Sequence, residues 1–139
     1  GWFVVAFSEE LERGAVLARR YFGRDLVLFR TEAGRATLMD AHCPHLGAHL
    51  GVGGNVVGES IRCPFHAFRF GVDGACVEGP YARSIPLEAR VRTYPMDEKN
   101  GVVLAYYAPD DRAPDYVIPE IPEYGTELFA SWSRRTSSL

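Results

Sequence analysis

Apolar and polar residues alternate along this chain in short runs, each ended by glycine or a group of turn-forming residues, which is the pattern of β-strands joined by tight turns. Trp2 to Phe7 is an aromatic and β-branched run that predicts a strand. Ser8 follows as a candidate N-cap, with Glu9 and Glu10 suited to a first helical turn, and Gly14 ends that segment early. Ala15 to Phe22 and Asp25 to Arg30 predict two strands joined at Gly23-Arg24, and Ala36 to Asp40 predicts a third after the turn Glu32 to Arg35. Val56, Val57 and Ile61 predict short strands between glycines. Phe68 to Phe70 and Cys76 to Val77 flank a turn at Val72-Asp73-Gly74, and Val91 to Tyr94 and Val102 to Tyr107 flank Asp97 to Gly101. No helical period outlasts a turn or two, so the fold class is all-β, an antiparallel sandwich or barrel. From Pro109 onward, Pro114, Pro119 and Pro122 predict an extended arm, giving a domain over 1–108 and an arm over 109–139.

One stretch does not fit a purely structural reading. Ala41 to Phe70 reads AHCPHLGAHLGVGGNVVGESIRCPFHAFRF and holds two Cys-and-His pairs, Cys43 with His45 and Cys63 with His66. Two thiolates and two imidazoles brought together by two loops make a four-ligand metal site. A tetrahedral zinc site uses the same donors, but zinc fingers group a Cys pair and then a His pair, whereas each loop here contributes one of each. The mixed spacing suits a two-iron two-sulfur cluster in which one iron takes two thiolates and the other two imidazoles. His42 and His49 lie close by and are read as loop packing, and Arg69 as a solvated base.

CPHLGAHL and CPFHAFRF, with GG-x-V-x-G between them, resemble the Rieske domain of the non-haem iron oxygenases. Within that family they most resemble the steroid-type branch of cholesterol 7-desaturases and ketosteroid hydroxylases. Ala67-Phe68 stands where that branch usually has Gly-Trp. The resemblance implies a Rieske-type antiparallel β-sandwich with a cluster-binding subdomain of two hairpin loops. It assigns Cys43 and Cys63 to one iron of a 2Fe–2S cluster, and His45 and His66 to the other. It also likens Gly79-Pro80-Tyr81 to the third loop that covers the cluster. High-potential Rieske proteins carry an extra disulfide between the loops; the corresponding positions here are Ala48 and Phe65. Those relatives also place a Ser and a Tyr after the second ligand pair, where this chain has Phe68 and Phe70, so a potential toward the low end of the Rieske range is expected.

Composition narrows the setting. With 139 residues, 47% of them hydrophobic, the chain suits one globular domain. Lys plus Arg minus Asp plus Glu is 15 − 18 = −3, with the signs interspersed, which gives no footprint for nucleic acid or an anionic membrane. No apolar run reaches the about eighteen residues of a transmembrane span, and the N-terminus lacks the basic region of a signal peptide, so a cytoplasmic location is expected. Three cysteines, two of them committed to metal, leave Cys76 as a free buried thiol. No Walker or dinucleotide fingerprint is present, so electrons must come from elsewhere.

The family's oxygenases hold a mononuclear Fe(II) with two His and a carboxylate in a separate catalytic domain. All four histidines of this chain lie between positions 42 and 66, so that site is absent from it. The resemblance therefore implies one-electron transfer from an NAD(P)H-dependent reductase or ferredoxin to a mononuclear-iron oxygenase domain, in a homotrimer for a full-length oxygenase. A free-standing Rieske ferredoxin between a reductase and a separate oxygenase is the alternative.

Overall fold

The computed structural model describes residues 1–44, 47–65, 67–78 and 90–127. Among these, ten strands run in chain order: β1 (Trp2–Phe7), β2 (Val16–Tyr21), β3 (Arg24–Arg30), β4 (Ala36–Asp40), β5 (Asn55–Val57), β6 (Ser60–Arg62), β7 (Arg69–Gly71), β8 (Cys76–Glu78), β9 (Met96–Lys99) and β10 (Val102–Tyr106). They form three antiparallel sheets ordered β1-β10-β9, β2-β3-β4 and β5-β6-β7-β8.

Strand β3 explains how the sheets stack. Its run Leu26-Val27-Leu28-Phe29 has no polar member, and all four side chains are fully buried, as a strand covered on both faces requires. Leu26 and Leu28 pack with Val5, Leu38, Val103 and Ala105 beneath the first sheet. Val27 and Phe29 point the other way, where they join Met39, Leu50, Ile61 and Phe70 beneath the third sheet and its loops. The β2-β3-β4 sheet is thus the middle layer, and the candidate metal loops stand on one of its faces. Truncating Phe29 to Ala would remove about 3–5 kcal/mol from a site that both loops rest on.

Polar contacts tie the layers at their edges. Arg30, at the end of β3, donates to both carboxylate oxygens of Glu98 on β9, at 2.9 and 2.7 Å. It also donates to the carbonyls of Gly34 and Leu11. The arm crosses the β9–β10 turn. Lys99 Nζ donates to Ile118 O at 3.1 Å, Asn100 Nδ2 donates to Pro119 O at 3.0 Å, and Ile121 N donates back to Asn100 Oδ1 at 2.6 Å. At the other end Trp2 Nε1 donates to Tyr116 O at 2.9 Å.

Four local expectations change. Ser8 is the first residue of a 3-10 turn (Ser8–Glu10) and not its cap; the Glu10 carboxylate reaches back to accept from Phe7 N at 2.7 Å. The β2–β3 turn falls on Phe22-Gly23, one residue earlier than expected, with φ of 59° and 71°. Phe22 tolerates it because its ring stacks on Tyr107 at 4.4 Å. Val91 to Tyr94 is no strand of the first sheet. It lies against β4, with Asp40 N donating to Arg92 O and Tyr94 N to Leu38 O, and the true partner of β10 begins at Met96, after Pro95. Cys76 is half-buried, not buried, and lies 3.5 Å from Glu78 O; burial pushes its thiol pKa up.

Candidate metal centre

Two loops of one design carry the cysteines. The first leaves β4 through Ala41, whose N–H donates to Asp25 O at 3.1 Å, and returns at Leu50, whose N–H donates to Ala41 O at 2.7 Å. Inside it, Cys43 N donates to Ala48 O and Gly47 N donates to Cys43 O, both at 2.8 Å. The second spans the end of β6 and the start of β7. There Cys63 N donates to Phe68 O at 2.7 Å and Ala67 N donates to Cys63 O at 3.1 Å. In both loops the cysteine amide reaches the carbonyl five residues on, and its carbonyl receives the amide four residues on. The residue four after each cysteine closes the turn with a left-handed backbone, φ 77° at Gly47 and 59° at Ala67. The loops also meet: a Cβ on Gly53, in the segment after the first loop, would stand 3.3 Å from the Pro64 ring of the second.

Cys43 and Cys63 are each 2% exposed and belong to one apolar cluster with Leu50, Ile61, Phe70 and Val91. No disulfide joins them. Two buried cysteine side chains from separate hairpins, converging without a disulfide inside an apolar cluster, suit soft metal ligation, because the metal neutralises thiolates that burial alone would disfavour. Of the four expected ligands, His45 and His66 lie outside the described residues, as does the Gly79-Pro80-Tyr81 loop. Among the described residues no three His, Cys, Asp or Glu side chains are grouped to hold a metal.

The remaining histidines pack as expected, with partners that the sequence did not signal. His42 and His49 face each other across an isolated antiparallel bridge, their rings edge to face at 5.3 Å. His42 Nδ1 lies 3.1 Å from Gly47 O, and Gly51 N donates to His49 Nδ1 at 3.0 Å. Asp25 Oδ2 stands 3.7 Å from His42 Nε2 while Asp25 Oδ1 accepts from Arg20 at 2.8 Å. Arg20 chiefly, and His42 after it, hold the Asp25 carboxyl below the usual range. Arg69 is not a solvated base: it pairs with Glu78 at 3.0 Å.

Two other features lie apart from the loops. A groove of about 860 Å³ runs between the start of β4, residues 92–98 and residues 106–113, lined by Thr37, Arg92, Met96 and Asp111 among others, and neither Cys43 nor Cys63 borders it. Tyr94 donates to Asp40 Oδ1 at 2.8 Å, and burial together with that carboxylate raises its hydroxyl pKa. No helix among the described residues is long and apolar enough to cross a membrane.

The comparisons with known proteins agree with this geometry. Residues 1–95 match the family model described as the Rieske [2Fe-2S] domain. The chain is 39% identical over 93% of its length to cholesterol 7-desaturase nvd 1 of Ciona intestinalis, covering 27% of that protein. It is 37% identical over 95% of its length to a probable 3-ketosteroid-9-alpha-monooxygenase, oxygenase component, of Rhodococcus rhodochrous, covering 33% of it. The chain therefore spans about a third or less of these curated relatives. Among solved structures, dicamba monooxygenase bound to dicamba superposes with a TM-score of 0.82 at 27% identity, over 92% of this chain and 38% of that one. A Rieske domain carries a 2Fe–2S cluster, and twin loops bearing buried Cys43 and Cys63, each with a histidine close after it in sequence, fit that group. The chain belongs to the Rieske [2Fe–2S] domain family, in the form found in steroid-type Rieske oxygenases and desaturases.

Proposed function

We propose that Cys43 and Cys63 hold one iron of the cluster and His45 and His66 the other, and that the chain is the electron-transfer domain of a Rieske non-haem iron oxygenase. The observation that carries this is the placement of Cys43 and Cys63, both buried in one apolar cluster at equivalent points of two equally bonded loops. The cluster, when bound, supplies one-electron redox chemistry at a potential raised by its two imidazole ligands.

The chain's own part is to hold and exclude. The backbone bonds of each loop hold its cysteine in place, so little rearrangement would accompany a change of charge. Leu50, Ile61 and Phe70 keep water from the thiolate side. The electrons come from an NAD(P)H-dependent reductase or a ferredoxin and go to a mononuclear iron in an oxygenase domain outside this chain, in a homotrimer of the full-length protein located in the cytoplasm. Residues 1–108 form the domain and 109–139 the arm leading from it. In this reading the whole protein acts on a sterol or another hydrophobic molecule, which the names of the relatives support.

Natively purified protein is expected to contain two irons and two acid-labile sulfides per chain. Stoichiometric zinc without sulfide would overturn the assignment. The ferredoxin alternative is tested by immunoblot of the source: a native polypeptide about three times the size of this 15.4 kDa chain is expected, and a band near 15.4 kDa would favour the ferredoxin.

A further inference from the structure

We infer that His42 is a positioning residue that closes the first ligand loop from outside; the inference rests on the assignment of Cys43 and His45 as ligands. The two loops share their internal backbone bonds but not their foundations. The second rises from a continuous ladder in which β6 pairs with β7 at Ser60↔Gly71, Ile61↔Phe70 and Arg62↔Arg69. The first has no such ladder beneath it. Its closing pair, His42↔His49, is an isolated bridge.

Side chains supply what the ladder does not. Gly47 closes the turn, and its amide is held by the Cys43 carbonyl at 2.8 Å. Its own carbonyl faces His42 Nδ1 at 3.1 Å. A carbonyl oxygen only accepts, so Nδ1 carries the proton and donates. The imidazole thus spans Cys43 to Gly47, and both polar groups of the last residue in the turn are engaged. The ring is also packed on one further side. His49 stands edge-on at 5.3 Å, held in turn by the N–H of Gly51. Asp25 reaches the same place through its backbone, accepting from Ala41 N, the residue before His42. One β3 residue therefore holds the entry to the loop that the ring closes.

The test compares wild-type, His42→Leu, His42→Asn and His42→Phe proteins, each loaded with cluster and checked for fold by far-ultraviolet circular dichroism. The readouts are the rate of iron loss to a chelator at one fixed pH and the electron paramagnetic resonance spectrum of the reduced protein. H42L removes the donor and is expected to lose iron about fivefold faster, the ratio that one net hydrogen bond supplies, with a broadened spectrum. H42N places an amide N–H near the position of Nδ1 and is expected to return both readouts to within about twofold of wild type. A loss of general stability would not be rescued in that way. H42F keeps a ring against His49 without the donor, is expected to lose iron faster by the same ratio of about fivefold, and carries the test if H42L does not fold. Wild-type behaviour of a folded H42L, or no rescue by H42N, overturns the inference, as does wild-type behaviour of H42F where H42L fails. Wild-type protein that purifies without iron and sulfide would instead overturn the ligand assignment, and the inference with it.

Discussion

Gly47 and Ala67 occupy the same position in two loops of the same design, four residues after a buried cysteine, and both have a left-handed backbone, φ 77° and 59°. Only one of them is glycine. A side chain in that region crowds its own carbonyl at a cost of about 1–2 kcal/mol, so the second loop carries strain that the first does not.

Replacing Ala67 with Gly should therefore stabilise the protein. The gain is reduced by the larger unfolded-state freedom of glycine, leaving about 0.5–1 kcal/mol. A β-branched residue is worse placed there, so Ala67→Val should cost at least about 1 kcal/mol. Urea midpoints of the three cluster-loaded proteins check both; a midpoint for A67G at or below wild type would contradict the account.

How much of this was legible in the sequence differs by residue. The pairing of Cys43 with Cys63 was legible because metal chemistry restricts residue types more than packing does, and the departure at Ala67 from the family's glycine was visible in the motif. Its backbone angle was not, since alanine has no preference for that region. The unbroken apolar run of β3 predicted a strand, and its two-sided burial gives that run its reason. Strand β9 was hidden: Met-Asp-Glu-Lys reads as a turn, and it is a strand because Pro95 ends the pairing with β4 and β10 supplies a partner. The contact of Asp25 with His42 joins positions 17 apart, and no local pattern announces it.

The ion pair of Arg30 and Glu98 predicts a pH dependence. Its bidentate bonds hold the Glu98 carboxyl below its ordinary value of 4.5, and raise the pKa of Arg30 in turn. A carboxyl lowered by folding contributes stability above its unfolded value, and that contribution is lost as pH falls through the folded one. The arginine stays charged throughout. Stability of the wild type should thus fall on acidification below about pH 4.5, and Glu98→Gln should flatten that part of the curve. At neutral pH the substitution should cost about 1–2 kcal/mol, because Arg30 is 11% exposed while Glu98 is 34% exposed and partly screened. Urea unfolding of both proteins across the acid range measures it.

Glycine at position 101 has a separate task. Its φ is 74°, and a Cβ there would stand 1.8 Å from Tyr124 Oη. Gly101→Ala should expel the Tyr124 ring and loosen the arm where Asn100 holds it. Asn100→Ala should remove the bonds to Pro119 and Ile121 without that clash. In both variants the Ile121 amide should exchange with deuterium at least about fivefold faster, the ratio that one hydrogen bond supplies. Unchanged exchange in N100A would mean that the arm is held by other contacts.

Phe70 bears on the potential. Its ring is 1% exposed and packs in the same cluster as Cys43 and Cys63, so it borders the thiolate side of the metal site without a hydroxyl to offer. Hydrogen bonds to the sulfurs stabilise the reduced, more negative state and raise the potential. The wild-type midpoint should then fall toward the low end of the Rieske range, about −150 to +300 mV. Phe70→Tyr adds a hydroxyl within that cluster. A hydrogen bond worth about 1 kcal/mol corresponds to about 40 mV, since a tenfold ratio is 59 mV for a one-electron couple. A redox titration should place F70Y higher by roughly that amount. If the hydroxyl finds no sulfur, it is a buried unpaired donor, and F70Y would instead lose stability with no change in potential. A wild-type midpoint near the positive end would show that other groups donate to the sulfurs, and that the absence of a hydroxyl at position 70 does not set the potential.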